Sequence, residues 1–153
     1  MSHDLDSEAE GFERAITRLV LLEHRLFAAQ LERFALTPVQ YHALVYMARQ
    51  GQPCTMGCLA EHLRQSSATS TGIVDRLVRR GLAERRADTL DRRRVIVRVT
   101  DSGHRLVAEA GADRRQRTVG ILATMDGSDR ARLVALLDAY LARVAAVLDE
   151  GGR

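Results

Sequence analysis

Residues 63–82 read LRQSSATSTGIVDRLVRRGL, and residues 83–99 continue AERRADTLDRRRVIVRV. The first stretch predicts a tight turn followed by a helix. Ser66 is placed to cap it, Ile73, Val74 and Leu77 recur at helical spacing, and Gly81 suits the left-handed position that ends a helix. The first turn holds Ser66, Ser67, Ala68, Thr69, Ser70 and Thr71, small hydroxylated residues of poor helix propensity, so stability is not what they serve. The second stretch predicts two short strands, Leu82–Arg86 and Val95–Val99, joined by the loop ADTLDRR. In the later strand Val95, Val97 and Val99 alternate with Ile96 and Arg98.

Upstream, LTPVQ carries several helix-start signals together. Thr37 is an N-cap, Pro38 occupies the first helical position, and Gln40 stands three residues after the cap to complete a capping box. The helix that begins there runs to about Arg49 and ends at Gly51. After the break QGQPCT, Thr55–Leu63 makes a short helix with Leu59, Ala60 and Leu63 inward. Residues 12–34 form one long helix whose apolar residues, Ile16 and Leu19 among them, spill onto a second face, so it needs two packing partners. Downstream, Thr100 caps a helix from Asp101 to about Thr124, and MDGSD breaks it. The last helix has the cleanest periodicity, with Leu133, Leu136, Leu137, Tyr140, Leu141, Val144, Val147 and Leu148 on one stripe.

Helix, tight turn, helix and basic hairpin, in that order, make a mainly α chain with a small β-wing: a winged helix-turn-helix of six helices. The charge agrees. All 23 basic residues are arginine, and the segment from Arg64 to Arg98 holds ten of them against four acids. Residues 1–36 hold four against seven acids. A locally basic helix-turn-helix with a helix start of small hydroxylated residues points to DNA, because such side chains let the backbone approach base edges and leave N–H groups for phosphate.

Other classes are excluded or weakened. No apolar run approaches the roughly 18 to 20 residues that span a bilayer. The acidic, polar N-terminal stretch MSHDLDSEAEGFER has no signal-peptide pattern, which predicts a cytoplasmic protein. Cys54 and Cys58 are too few for a disulfide scaffold; Cys54 is expected to pack in the core and Cys58 to be more exposed, a regulatory thiol being the alternative. His24, His42, His62 and His104 have no tight metal-ligand spacing, although His42 and His104 lie in segments able to approach one another. No nucleophile motif or phosphate-binding glycine loop is present, so neither enzyme activity nor a cofactor is expected.

LTPVQYHALVYMARQG, LAEHL, SSATSTGIVDRLVRRGLAERR and DRRRVIVRVTDSG resemble, in order and spacing, the successive motifs of the MarR-type (multiple antibiotic resistance regulator) winged-helix transcription factors. The resemblance covers nearly the whole chain. It implies a homodimer that binds a pseudo-palindromic double-stranded DNA operator and regulates transcription, as a repressor released by a small-molecule or redox signal. It divides the chain into an N-terminal dimerisation helix (1–36), a winged helix-turn-helix (37–100) and C-terminal dimerisation helices (101–153), together one structural unit. Ile16, Leu19, Leu133, Leu136, Leu137, Tyr140, Leu141, Val144 and Leu148 then lie at the dimer interface. Carried over by position, Ser66, Ser67, Ala68, Thr69, Thr71 and Arg76 contact bases or nearby phosphates. Asp91 and Arg93 match the Asp-x-Arg of the wing, whose arginine enters a minor groove, while Arg92 and Arg94 grip the backbone. Gly72 and Ser70 depart from the pattern, which usually has a longer, often basic residue at the first and an apolar one at the second. Family members bind small aromatic or anionic effectors in a cleft, and Phe27, Leu31, Tyr41, His42 and Tyr46 lie in segments that can line it. The rival reading is a sequence-indifferent architectural DNA binder using the same arginines.

Overall fold

In the structure, a computed structural model that describes residues 2–88 and 94–151, the helix-start signals around Thr37 act together. The Thr37 hydroxyl accepts from the Gln40 N–H at 3.4 Å, and the Gln40 side chain accepts from the Thr37 N–H at 2.9 Å. Among the described residues the elements run α1 (Ser2–Glu32), α2 (Pro38–Arg49), β1 (Cys54–Thr55), α3 (Met56–Leu63), α4 (Ser67–Arg79), β2 (Ala83–Ala87), β3 (Val95–Val99), α5 (Asp101–Ala123) and α6 (Gly127–Gly151). The sheet is antiparallel, in the order β1-β3-β2. Two compact units divide the chain, Met1–Arg114 and Arg115–Arg153.

The core of the first unit explains why α2, α3 and α4 hold their places. Leu44, Leu59, Val74, Leu77 and Val97 are fully buried together, with Leu31 of α1 and Ala110 of α5. Each such aliphatic side chain contributes about 1.5 to 3 kcal/mol of transfer free energy. Ser66 caps α4 by accepting from the Thr69 N–H at 3.2 Å. The turn before it is made by Arg64, whose φ of 51° lets the chain double back after α3. Gly81, at φ 68°, ends α4 as expected.

Four local expectations are corrected. The first helix starts at Ser2, ten residues before residue 12, and ends at Glu32. Its opening turns are exposed and polar, so no apolar stripe betrays them, while Asp4 near the N-terminus suits the helix dipole. The strand expected at Leu82–Arg86 is Ala83–Ala87: Leu82 is buried but belongs to the turn, where its N–H donates to the Leu77 carbonyl. Val95 lies on the same strand face as Val97 and Val99 but is 43% exposed, because the hairpin has passed the edge of the core there. The break before α3 hides a two-residue strand, with Cys54 opposite Val97 and Thr55 opposite Ile96.

α5 enters through Thr100, whose hydroxyl accepts from the Gly103 N–H at 3.1 Å and donates to the Gly81 carbonyl at 2.7 Å. In the second unit, α6 presents Leu133, Leu136, Leu137, Tyr140, Leu141 and Leu148 as exposed side chains, with Val144 half-buried. In α1, Leu19 and its neighbours Val20, Leu21 and Leu22 are exposed, while Ile16 is half-buried. Among the described residues no helix is long and apolar enough to cross a membrane.

Candidate nucleic-acid interface

α4 has two chemically distinct faces. Ser70, Ile73, Val74 and Leu77 are buried, whereas Ser67, Ala68, Thr69, Thr71 and Arg76 are exposed along the other side. The exposed set contains the residues expected to read DNA, and the helix brings them together over its first three turns. Ala68, Thr69, Gly72 and Arg76 line a groove of about 320 Å³ with Val39, Gln65 and Ile73. Gly72 leaves that groove open, since a Cβ there would meet no atom within 4 Å. Ser66 is already engaged: besides capping the helix, its hydroxyl lies 2.9 Å from that of Thr69.

Ser70 answers the departure noted in the sequence. Its side chain is buried where an apolar residue is usual, and its hydroxyl has no hydrogen-bond partner. A buried unpaired hydroxyl costs roughly 1 to 3 kcal/mol. Ser70→Ala is therefore expected to raise unfolding free energy by about 1 kcal/mol, read from urea denaturation; a loss of stability would show that the hydroxyl has a partner.

The β2–β3 hairpin is tied to α4 by a contact with no sequence signature. Arg85 of β2 donates to the Asp75 carboxylate at 2.5 Å and to the Thr71 carbonyl at 3.1 Å. On the same hairpin, Glu84 accepts from both Arg98 and Arg86. The hydrogen bond from Arg98, ahead of the charge of Arg86, holds the Glu84 carboxyl below the usual carboxylate range. The neck of the hairpin is closed by the Asp88 N–H donating to the Arg94 carbonyl at 2.9 Å. Arg94 is exposed there. Asp91, Arg92 and Arg93, the expected wing-tip residues, lie outside the described residues.

The residues expected around an effector divide into separate sets. Phe27 packs edge-on to Tyr41, with ring centroids 5.4 Å apart, and stacks with His42 at 5.6 Å. Arg114, which no sequence pattern singled out, stands over the Phe27 ring at 5.7 Å. Partial burial, followed by the charge of Arg114, lowers the imidazole pKa of His42 below its ordinary value. Leu31 is fully buried in the core, and Tyr46 instead stacks on His62 at 3.8 Å. His104 lies on the first turns of α5, near Met47, Arg98 and Asp101. Cys54 is buried, which pushes its thiol pKa up, and Cys58 is exposed. Among the described residues no group of three or more His, Cys, Asp or Glu side chains is arranged to hold a metal ion.

Comparison with known proteins decides what this geometry belongs to. The family model described as MarR family matches residues 36–94. An HTH-type transcriptional regulator of Mycobacterium tuberculosis is 33% identical over 143 residues, spanning 92% of this chain and 96% of the relative. The chain belongs to the MarR family. A MarR mutant from E. coli is 25% identical, with a TM-score of 0.73 over 84% of this chain and 95% of that one. A mutant of MepR from S. aureus, solved bound to an oligodeoxyribonucleotide, shares the fold at 23% identity and a TM-score of 0.69, over 86% of this chain and 97% of that one. As a MarR-family member the chain is a DNA-binding transcriptional regulator, and α3 and α4 with the β2–β3 hairpin form its winged helix-turn-helix.

Proposed function

We propose that this MarR-family regulator is a cytoplasmic repressor that binds a pseudo-palindromic operator as a homodimer. A small aromatic or anionic effector, or a redox signal, releases it by changing the spacing of its two recognition helices. The observation that carries this reading is the exposed row Ser67, Ala68, Thr69, Thr71 and Arg76 on a helix whose opposite face is locked in the core. Such a row can meet base edges in a major groove, while the wing arginines reach phosphates or the adjacent minor groove. The exposed leucines of α1 and α6 support dimerisation, because apolar helix faces gain most when a second copy covers them. Rings able to stack and a guanidinium beside them, at Phe27, Tyr41, His42 and Arg114, support an aromatic carboxylate as effector.

Selection of bound duplex from a random pool tests the operator. The expected footprint has dyad symmetry with half-sites about 10 bp apart centre to centre. The affinity of the dimer should fall with salt at a slope of about −7 to −9, equivalent to four or five phosphates neutralised per protomer. Equal affinity for selected and random duplex would favour an architectural binder instead. In the wing, Arg93→Ala is expected to weaken operator binding by about 1 to 3 kcal/mol while dimerisation persists. A gel-shift titration showing unchanged affinity would remove Arg93 from the interface.

A further inference from the structure

The arginines of the basic segment are not equivalent, and Arg80 stands apart. It is the C-cap of α4, and its own N–H donates to the Arg76 and Val78 carbonyls. Its guanidinium turns away from the helix it caps. One terminal nitrogen donates to the Ala35 carbonyl at 2.5 Å and the other to the Phe34 carbonyl at 2.7 Å. Those carbonyls belong to the turn that ends α1, where Ala35 holds a left-handed φ of 50°. The end of a helix leaves carbonyls beyond its own hydrogen-bond ladder and carries the negative pole of the dipole. A planar, permanently charged fork with two parallel donors satisfies both needs at once.

We propose that Arg80 is a positioning residue for DNA recognition: it fixes the tilt of α4 by clamping the C-terminus of the recognition helix to the C-terminus of α1. The role rests on the operator reading above. Two further contacts make the α4 exit a fixed pivot. Thr100 donates to the Gly81 carbonyl, and the Thr100 N–H donates to the Leu82 carbonyl at 3.1 Å. Arg80, Gly81 and Leu82 are thus held in turn by the end of α1 and the entry of α5. The base-reading residues lie at the opposite end of α4. A 13-residue helix is about 20 Å long, so a tilt of about ten degrees at the pivot moves its first turn by about 3 Å. That displacement exceeds what a hydrogen bond to a base edge tolerates, whereas contacts to phosphate from long arginine side chains survive it. Losing the clamp should therefore remove selectivity while leaving general DNA affinity in place.

The opposing role for Arg80 is a phosphate contact, as its place in the basic segment suggests, and the two roles predict different results. The full-length protein, R80Q and R80K are titrated against a duplex selected by the wild-type chain and against random-sequence duplex of equal length, across a range of salt. The clamp predicts that R80Q binds the selected duplex about tenfold more weakly, binds random duplex as before, and keeps the wild-type salt slope. R80K should behave like R80Q, since an ammonium cannot reproduce the two-pronged donation to adjacent carbonyls. Amide hydrogen exchange in residues 77–82 of the DNA-free protein should quicken in both variants, a reading available even where R80Q binds nothing. A salt slope reduced by about 2 in R80Q, with R80K behaving as wild type, would assign Arg80 to phosphate and overturn the clamp. Unchanged discrimination or unchanged exchange would also overturn it. A wild-type protein that does not discriminate between the duplexes would remove the operator reading and this role together, whereas discrimination that persists in R80Q removes this role alone.

Discussion

Gly103→Ala is expected to lower unfolding free energy by about 3 kcal/mol, the largest effect of a methyl group added at any of the described glycines. Gly103 is buried on the first turn of α5, and an added Cβ would lie deep inside contact distance of the Leu82 backbone carbonyl and 2.6 Å from Cγ1 of Val99. Neither neighbour can yield cheaply. The Leu82 carbonyl accepts from the Thr100 N–H, and Val99 is a buried residue of the central strand. Gly111 on the same helix supplies the control, because a Cβ there meets nothing within 4 Å. Gly111→Ala should raise stability by about 0.5 to 1 kcal/mol through helix propensity alone. Opposite signs in urea unfolding would establish that packing decides the first and backbone entropy the second. Equal signs would mean that α5 can slide away from the α4–β2 turn.

The second large effect concerns assembly. Leu137 and Leu141 are 43% and 53% exposed on α6, so aspartate at both positions leaves the new carboxylates in reach of solvent in an isolated chain. Across a dimer interface the same pair would place carboxylates against apolar surface. The double variant is expected to sediment as a monomer at micromolar concentration and to bind operator at least about a hundredfold more weakly, because a single half-site loses the gain from linked binding. Its melting temperature should stop depending on protein concentration. A variant that still sediments as a dimer would place the interface elsewhere.

Local chemistry made much of this molecule legible. The caps at Thr37, Ser66 and Thr100, the left-handed Gly81 and the β-branched run 95–99 each act within a few residues, and each forms as read. The Ser/Thr-rich start of α4 gave the candidate interface for the same reason. Three kinds of feature were not legible. Residues 2–11 are helical without an apolar stripe, so periodicity has nothing to detect. β1 is two residues long and exists only because β3 is beside it. The partners of Arg80 and Arg114 lie far along the chain and those of Arg85 on the preceding helix, and charge counted along a sequence cannot tell an arginine that meets a carbonyl, a carboxylate or a ring from one held out to solvent. The net basic character of the segment therefore agrees with membership of a DNA-binding family but is a poor guide to which arginine does what.

The division of α4 into a buried face and an exposed face has an evolutionary consequence. Ile73, Val74 and Leu77 make the helix foldable, while Ser67, Ala68, Thr69 and Thr71 are all exposed. If the exposed set reads the operator as proposed, substitutions there alter which operator is preferred without repacking the interior, and surface changes of this kind are usually close to neutral for stability. A duplicated copy of such a gene can thus drift toward a new target site in small steps, each of which still yields a folded regulator. Ser70 lies between those residues in sequence, but its side chain is buried with Ile73, Val74 and Leu77 and takes no part in that exposed face.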